Sequence, residues 1–152
     1  MFKHWFCQTN KLLCINGSST MNRIAECCCG QLTIEVLGDP EMHGVCHCNN
    51  CKKRTGSAFG MSSYFDKSQI VKTSGEANCF SFHNTEQNHD QKRHFCTVCG
   101  TTLFWSVSTM PKLTGIAGGC FVKSPLSEPT YSANQANICS WLGLPRQWQQ
   151  KA

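Results

Sequence analysis

The sequence has no apolar run long enough to span a membrane, no internal repeat and no strongly basic stripe. Charged residues make up only 15% of the 152-residue chain, and the formal net charge is +5. A membrane-spanning helix needs about 20 consecutive apolar residues, which this chain does not offer. Its mild positive charge also falls short of the basic surface typical of nucleic-acid-binding proteins. We therefore expect neither a membrane span nor a nucleic-acid partner.

A convincing amphipathic helix is also missing, as is any sign of a second domain. The chain is rich in turn residues, with 12 glycines and 5 prolines, and 40% of its residues are hydrophobic. This length and composition suit one globular domain with one core. Short runs of β-forming residues separated by turn signals predict strands. They span residues 31–37, 44–48, 58–65, 68–73, 78–82, 92–95, 101–107, 114–122 and 136–142.

Cysteine is abundant, and its spacing is typical of metal sites. Residues 46–51 read Cys-His-Cys-Asn-Asn-Cys, so Cys46, Cys48 and Cys51 lie within six residues. Neighbouring cysteines rarely reach disulfide geometry, whereas thiolates are preferred ligands of zinc. Three ligands leave one position of a tetrahedral ion open, which is typical of a catalytic zinc. We predict that these three cysteines hold a catalytic zinc.

A second group of cysteines flanks this triple in the sequence. Cys27 and Cys29 precede it as C-x-C-Gly, and Cys96 and Cys99 follow it as C-x2-C-Gly. Two distant ligand pairs form the usual closed, four-thiolate structural site. We therefore predict two zinc ions per chain, one structural and one catalytic.

The cysteines also bear on the compartment and on the start of the domain. Thirteen cysteines is an odd number, many have metal spacing, and no signal peptide is evident, which favours a reducing cytosol over a disulfide scaffold.

Residues 1–20 match no element well, so we expect an N-terminal extension there, disordered or preceding the true start at Met21. Residues 21–152 form the predicted zinc-binding domain.

The cysteine clusters and their surroundings resemble a known family. Cys27-Cys28-Cys29-Gly30, CHCNNCKKRTGSAFG at 46–60 and FCTVCGTTLFW at 95–105 are similar to the glutathione-dependent formaldehyde-activating family, which also includes centromere protein V. The likeness covers about residues 25–142. It implies a mainly β, single-domain fold, the β-tent, with two zinc sites. It also implies a carbon–sulfur lyase that joins glutathione and formaldehyde into S-hydroxymethylglutathione.

The resemblance assigns the same ligands as the spacing does. The structural zinc falls on Cys27, Cys29, Cys96 and Cys99, and the catalytic zinc falls on Cys46, Cys48 and Cys51. The implied partners are a glutathione-like thiol and a small aldehyde. The segment after Cys120 keeps only a loose likeness to the family.

Other residues near the clusters allow two interpretations. Strand alternation turns Cys28 and His47 away from their neighbours, so we expect neither to be a ligand. Isolated Cys79, Cys120 and Cys139 are predicted to be small buried hydrophobes. The basic run Lys52-Lys53-Arg54 is either a solvated face or a means of attracting an anionic substrate.

Two other functional classes remain open at this point. A zinc-stabilised binding module without turnover requires the second zinc to be closed by a further ligand. A redox-sensing thiol cluster requires reversible zinc release upon oxidation. The sequence offers no readable His/Asp general-base pair that would favour the enzyme over either alternative.

Overall fold

The computed structural model describes residues 21–151, which form eleven strands and one short α-helix. The helix, α1, spans Asn49–Thr55 and lies between β3 and β4. The strands are β1 Asn22–Glu26, β2 Thr33–Leu37, β3 Met42–Cys46, β4 Gly60–Asp66, β5 Ile70–Ser74, β6 Ala77–Asn84, β7 His89–Cys96, β8 Thr102–Val107, β9 Leu113–Ala117, β10 Tyr131–Ala133 and β11 Gln149–Lys151. Short 3-10 turns occupy Lys67–Gln69, Gly118–Cys120 and Gln135–Asn137.

These strands form two sheets. The smaller sheet has the order β1-β2-β5 and is antiparallel. The larger sheet has eight strands in the order β11-β10-β3-β4-β9-β8-β7-β6. It is antiparallel from β3 to β6, whereas β10 runs parallel to both β3 and β11. The expectation of a mainly β, single-domain fold is confirmed.

The core lies between the two sheets and is built by alternating side chains. Leu32, Ile34 and Val36 point inward from the small sheet, as their period of two predicts. Phe65 and Ile116 face them from the large sheet, and both are fully buried. The buried thiols of Cys27 and Cys96 belong to the same cluster, so the first cysteine group is anchored directly in the core.

Eight of the nine predicted strands are found, with shifted boundaries. Strands were predicted at 78–82 and 92–95, with a loop at 83–90 between them. The structure extends both strands into a hairpin that pairs residues 77–84 with 89–96. The predicted strand at 114–122 ends at Ala117, where the backbone enters the 3-10 turn Gly118–Cys120. β1, β10 and β11 were not predicted.

One predicted strand is absent, and one short helix was not predicted. α1 forms because Cys48 caps its first turn and Gly56 ends it in the left-handed region at φ 62, but it buries no side chain and is not amphipathic. The strand predicted at 136–142 is absent from the described chain, because turn hydrogen bonds replace the strand pairing. Ile138 N donates to Gln135 O at 3.1 Å and Leu142 N donates to Cys139 O at 2.9 Å.

The extension predicted over residues 1–20, with Cys7 and Cys14, lies outside the described residues. Within residues 21–151, no helix is both long enough and apolar enough to cross a membrane.

Candidate metal centres

The first cysteine group joins two turns that are distant in sequence. Cys27 directly follows β1, Cys96 ends β7, and Cys29 and Cys99 lie in the turns that come next. The four sulfurs lie within 4.8 Å of one another. Gly30 and Gly100 close the turns with φ of 75 and 71, a conformation that costs glycine little.

This arrangement fits a tetrahedral metal ion. The Cys29 sulfur is 3.5 Å from that of Cys27 and 3.6 Å from that of Cys96. Zinc–sulfur bonds of about 2.3 Å place tetrahedral sulfurs about 3.8 Å apart, whereas a disulfide needs about 2.05 Å. Backbone N–H groups also point at the sulfurs, with Leu32 N donating to Cys27 Sγ at 3.2 Å. The donor set and its spacing therefore fit a closed metal site.

The sulfurs of this group differ in how readily they ionise. The side chain and backbone of Thr101 hydrogen-bond to Cys99 and lower its pKa to about 5. The backbone of Gln31 acts to lower the pKa of Cys29, but burial and the neighbouring thiols outweigh it and raise the pKa to about 12. Neighbouring thiols cannot all ionise without a cation, so the group favours a divalent metal.

The second cysteine group lies where β3 passes into α1. Cys46 is the last residue of β3, Cys48 is the N-cap of α1, and Cys51 is in the first turn of the helix. Their sulfurs also lie within 4.8 Å of one another. Cys51 N donates to Cys48 Sγ at 3.3 Å, and Asn134 Nδ2 donates to Cys46 Sγ at 3.1 Å. A strand end and a helical turn thus bring together the three donors that the sequence spacing predicted.

The thiols of this group also raise one another's pKa. A hydrogen bond to Cys48 is the main cause for Cys46, and a hydrogen bond to Cys46 is the main cause for Cys51. Burial acts in the same direction on both thiols. A divalent cation would offset this mutual repulsion. Among the described residues, no other His, Cys, Asp or Glu joins the cluster, so its geometry leaves a metal with one open position.

His47 does not join its neighbouring cysteines. Its ring is fully buried, and Nε2 lies 3.0 Å from Ser132 Oγ on β10. The ring also packs edge-on against Phe59, with 5.9 Å between the ring centroids. Its role is to connect the cysteine junction to β10 and the segment after α1.

Beside the triple, the large sheet carries a tryptophan whose ring packs over a glycine of the neighbouring strand. Trp105 occupies the space above Gly115, where a Cβ would lie 2.2 Å from its indole Nε1. That Nε1 donates to Tyr64 Oη at 3.3 Å. The Arg54 guanidinium stacks over the Trp105 ring, 4.4 Å from its centroid. An aromatic and cationic wall therefore adjoins the second cysteine group.

Of the three isolated cysteines that were predicted to be buried, two are half-buried and one is exposed. Cys79 was predicted to be buried but is exposed, because it lies on β6, the edge strand of the large sheet. Cys120 is half-buried against the core, and burial raises its pKa to about 11. Cys139 is also half-buried, and Cys28 is exposed.

Several residues near the triple were not found from the sequence. They lie between 13 and 83 positions after Cys51, and only the strand order brings them to the triple: Tyr64, Gln91, Arg93 and Asn134. No spacing rule connects such residues. Arg93 alone offered a sign of a functional role, because it stands in a strand that leads into a cysteine turn.

Comparison with known proteins gives one sequence family and one related fold. The family profile described as "glutathione-dependent formaldehyde-activating enzyme" matches residues 22–137. A crystal structure of a Rhodobacter sphaeroides protein, a structural genomics target, matches with a TM-score of 0.50 and 20% identity. The match covers 65% of this chain and 87% of that one, and at this identity it shows the fold alone. No curated protein matches significantly.

Proposed function

The chain belongs to the glutathione-dependent formaldehyde-activating enzyme family, and we propose that it is a zinc enzyme that joins a thiol to a small aldehyde. The proposed activity is that of a carbon–sulfur lyase of the S-(hydroxymethyl)glutathione synthase type, with a glutathione-like thiol as one substrate. Four thiolates would hold one zinc and three would hold the other. The clustered thiols also suit a reducing compartment such as the cytosol.

The observation that carries this proposal is the difference between the two cysteine groups. Cys27, Cys29, Cys96 and Cys99 offer a complete tetrahedral donor set anchored in the core. The other group offers three donors at a strand–helix junction, beside Tyr64, Arg54 and Trp105. A structural zinc needs four protein ligands, whereas a catalytic zinc needs an open position. The geometry supports one site of each kind.

In the proposed reaction the thiol sulfur bonds to the aldehyde carbon, and the thiol proton ends on the aldehyde oxygen. No electron acceptor or other co-reactant is consumed. A zinc held by Cys46, Cys48 and Cys51 would supply an electrophilic centre that favours the thiolate form of the substrate. The chain itself has to orient the two reactants and to manage this one proton.

We assign to Tyr64 the role of a hydrogen-bond donor to the aldehyde oxygen, the atom on which this proton ends. Burial raises the pKa of Tyr64, so its phenol keeps its proton at neutral pH. Its oxygen accepts a hydrogen bond from Trp105 Nε1 at 3.3 Å, which orients the hydroxyl and leaves its own hydrogen free to donate. That hydrogen can stabilise the oxygen of the aldehyde as negative charge develops there.

The test uses the zinc-loaded full chain with glutathione and formaldehyde. Because the adduct forms without a catalyst, exchange between free and bound formaldehyde should be measured at equilibrium by NMR. We expect the protein to accelerate this exchange and Cys48→Ala to abolish the acceleration. Exchange at the rate of protein-free buffer would contradict the proposed activity and favour a binding module.

A further inference from the structure

The three basic residues after Cys51 have different environments. Lys53 is exposed, and the ammonium of Lys52 donates to the backbone carbonyl of Asn137. Arg54 instead turns toward the cysteine triple, where its guanidinium stacks on Trp105. Its Nη2 is buried and has no hydrogen-bond partner. Only this member of the basic run therefore presents an unused donor beside the second cysteine group.

A second arginine lies in the same environment. Arg93 on β7 stands opposite Trp105 on β8, and its guanidinium lies 4.7 Å from the centroid of the Phe82 ring. Its Nε donates to Gln91 Oε1 at 3.1 Å, but its Nη2 is also buried without a partner. Burial is the main cause that lowers the pKa of Arg93, and the charge of Arg54 acts in the same direction. Because Arg54 stacks on Trp105 and Arg93 stands opposite Trp105, the same aromatic residue adjoins both arginines.

Burying the Nη2 donors of Arg54 and Arg93 costs free energy unless an anion accepts their hydrogen bonds. A buried N–H without an acceptor loses its hydrogen bonds to water and gains none in return, and the loss is larger when the group is charged. None of the ion pairs among the described residues involves Arg54 or Arg93. The triple of thiolates with one zinc has a net charge of −1, which offsets only part of two positive charges. An oxyanion with two acceptor atoms would satisfy both guanidinium groups.

We propose that Arg54 and Arg93 together bind a carboxylate of the thiol substrate, beside the second metal centre. The location places that carboxylate close to the metal-binding sulfurs. A Cβ at Gly60 would lie 2.7 Å from Arg54 Nη2 and 3.5 Å from Cys51 Sγ, so the unused donor and the metal-binding sulfur are close neighbours. A carboxylate held there lies only a few bonds from a sulfur on the metal. The claim that this carboxylate belongs to the reacting thiol rests on the proposed function, whereas the anion site itself does not.

The experiment compares two thiols of the same chain length, one ending in a carboxylate and the other in a neutral hydroxyl. Binding of 3-mercaptopropionate and of 3-mercapto-1-propanol to the zinc-loaded full chain is measured by calorimetry. We expect the carboxylate thiol to bind more tightly, and Arg54→Met or Arg93→Met to remove about 10- to 100-fold of that preference, the worth of a charged hydrogen bond. Lys53→Met is the matched control, because it removes the same charge from the same helix, and it should keep the preference.

Lysine variants separate direct contact from general charge attraction. Arg54→Lys keeps the charge but loses the planar fork, so it should bind the carboxylate thiol more weakly than the wild type. Equal affinity of the two thiols for the wild-type protein would overturn the inference. So would a preference that falls equally in Lys53→Met, or an Arg54→Met protein that keeps the preference but loses its zinc, since that would make Arg54 a counter-ion of the thiolates.

Propionate, which has no thiol, separates this inference from the proposed function. If propionate competes in the wild type but not in the arginine variants, and no thiol adds to the metal, the anion site stands and the proposed function fails. If a thiol adds to the metal with no preference for carboxylate, the anion site fails and the proposed function stands.

Discussion

The guanidinium of Arg54 occupies the space in which a side chain at Gly60 would lie. A Cβ at this position would be 2.7 Å from Arg54 Nη2 and 3.1 Å from Cys51 Cβ. Gly60 pairs with Cys46 across β3 and β4, so it stands beside the triple on the sheet. The absence of a side chain at one strand residue therefore allows an arginine to approach the second cysteine group.

Gly60→Ala should displace Arg54 from the site. The guanidinium is the flexible end of a side chain and can move, whereas the contact with Cys51 Cβ is tight, so we expect weaker binding of anionic thiols and a modest loss of affinity for the second metal. Calorimetry and metal titration measure the two effects. Gly119→Ala is the control, because a Cβ there meets nothing within 4 Å. Identical behaviour of the two variants would contradict this role of Gly60.

Cys96→Ala should prevent stable folding. Cys96 is buried in the core and would connect the turn after β7 to the turn after β1 through the metal. Structural zinc binding contributes on the order of 10 kcal/mol in small zinc domains, while whole domains are stable by only about 5–15 kcal/mol. Thermal unfolding followed by circular dichroism checks this. Cys79→Ala, which changes an exposed cysteine outside both groups, should melt like the wild type.

Cys48→Ala should remove the second zinc and leave the fold intact. Cys48 caps α1, so losing the cap costs about 0.5–2 kcal/mol, and the melting temperature should fall by a few degrees. Cys48→Ser keeps a capping oxygen and should recover part of this loss without restoring the metal. Melting and zinc content are measured under reducing conditions, because freed thiols oxidise. Unfolding as complete as that of Cys96→Ala would make the second metal a structural one.

Purified, reduced protein should contain two zinc ions per chain. The two cysteine groups share no residue and lie in different turns, so each should bind its metal independently of the other. Elemental analysis by inductively coupled plasma mass spectrometry gives the number and identity of the metals. One zinc per chain, or iron in place of zinc, would contradict the assignment of seven ligands to two sites.

The sequence predicted those parts of the molecule that depend on local patterns. The alternation of Leu32, Ile34 and Val36 predicted β2 and the face it buries, because a half-buried strand requires a period of two. The cysteine spacings predicted each pair and the triple, because these patterns are local, and the need of a structural zinc for four ligands predicted that the two distant pairs lie together. The composition of short β-forming runs predicted the mainly β fold.

Features that depend on distant pairings were not predictable from the sequence. α1 has only seven residues and no buried side chain, so it shows no apolar periodicity. β10 is three residues long and pairs in parallel with β3, far away in sequence. The side chains beside the triple include Arg54 from the helix and two residues from paired strands, Arg93 and Trp105. Only the strand order brings these side chains together.

The sulfur coordination of zinc, measured by X-ray absorption with and without glutathione, tests the central claim most directly. The claim is that Cys46, Cys48 and Cys51 hold a zinc whose fourth position accepts a thiol. We predict that glutathione adds one sulfur ligand per chain in the wild type and none in Cys48→Ala. An unchanged sulfur count in the wild-type protein, with both metals bound, would contradict it.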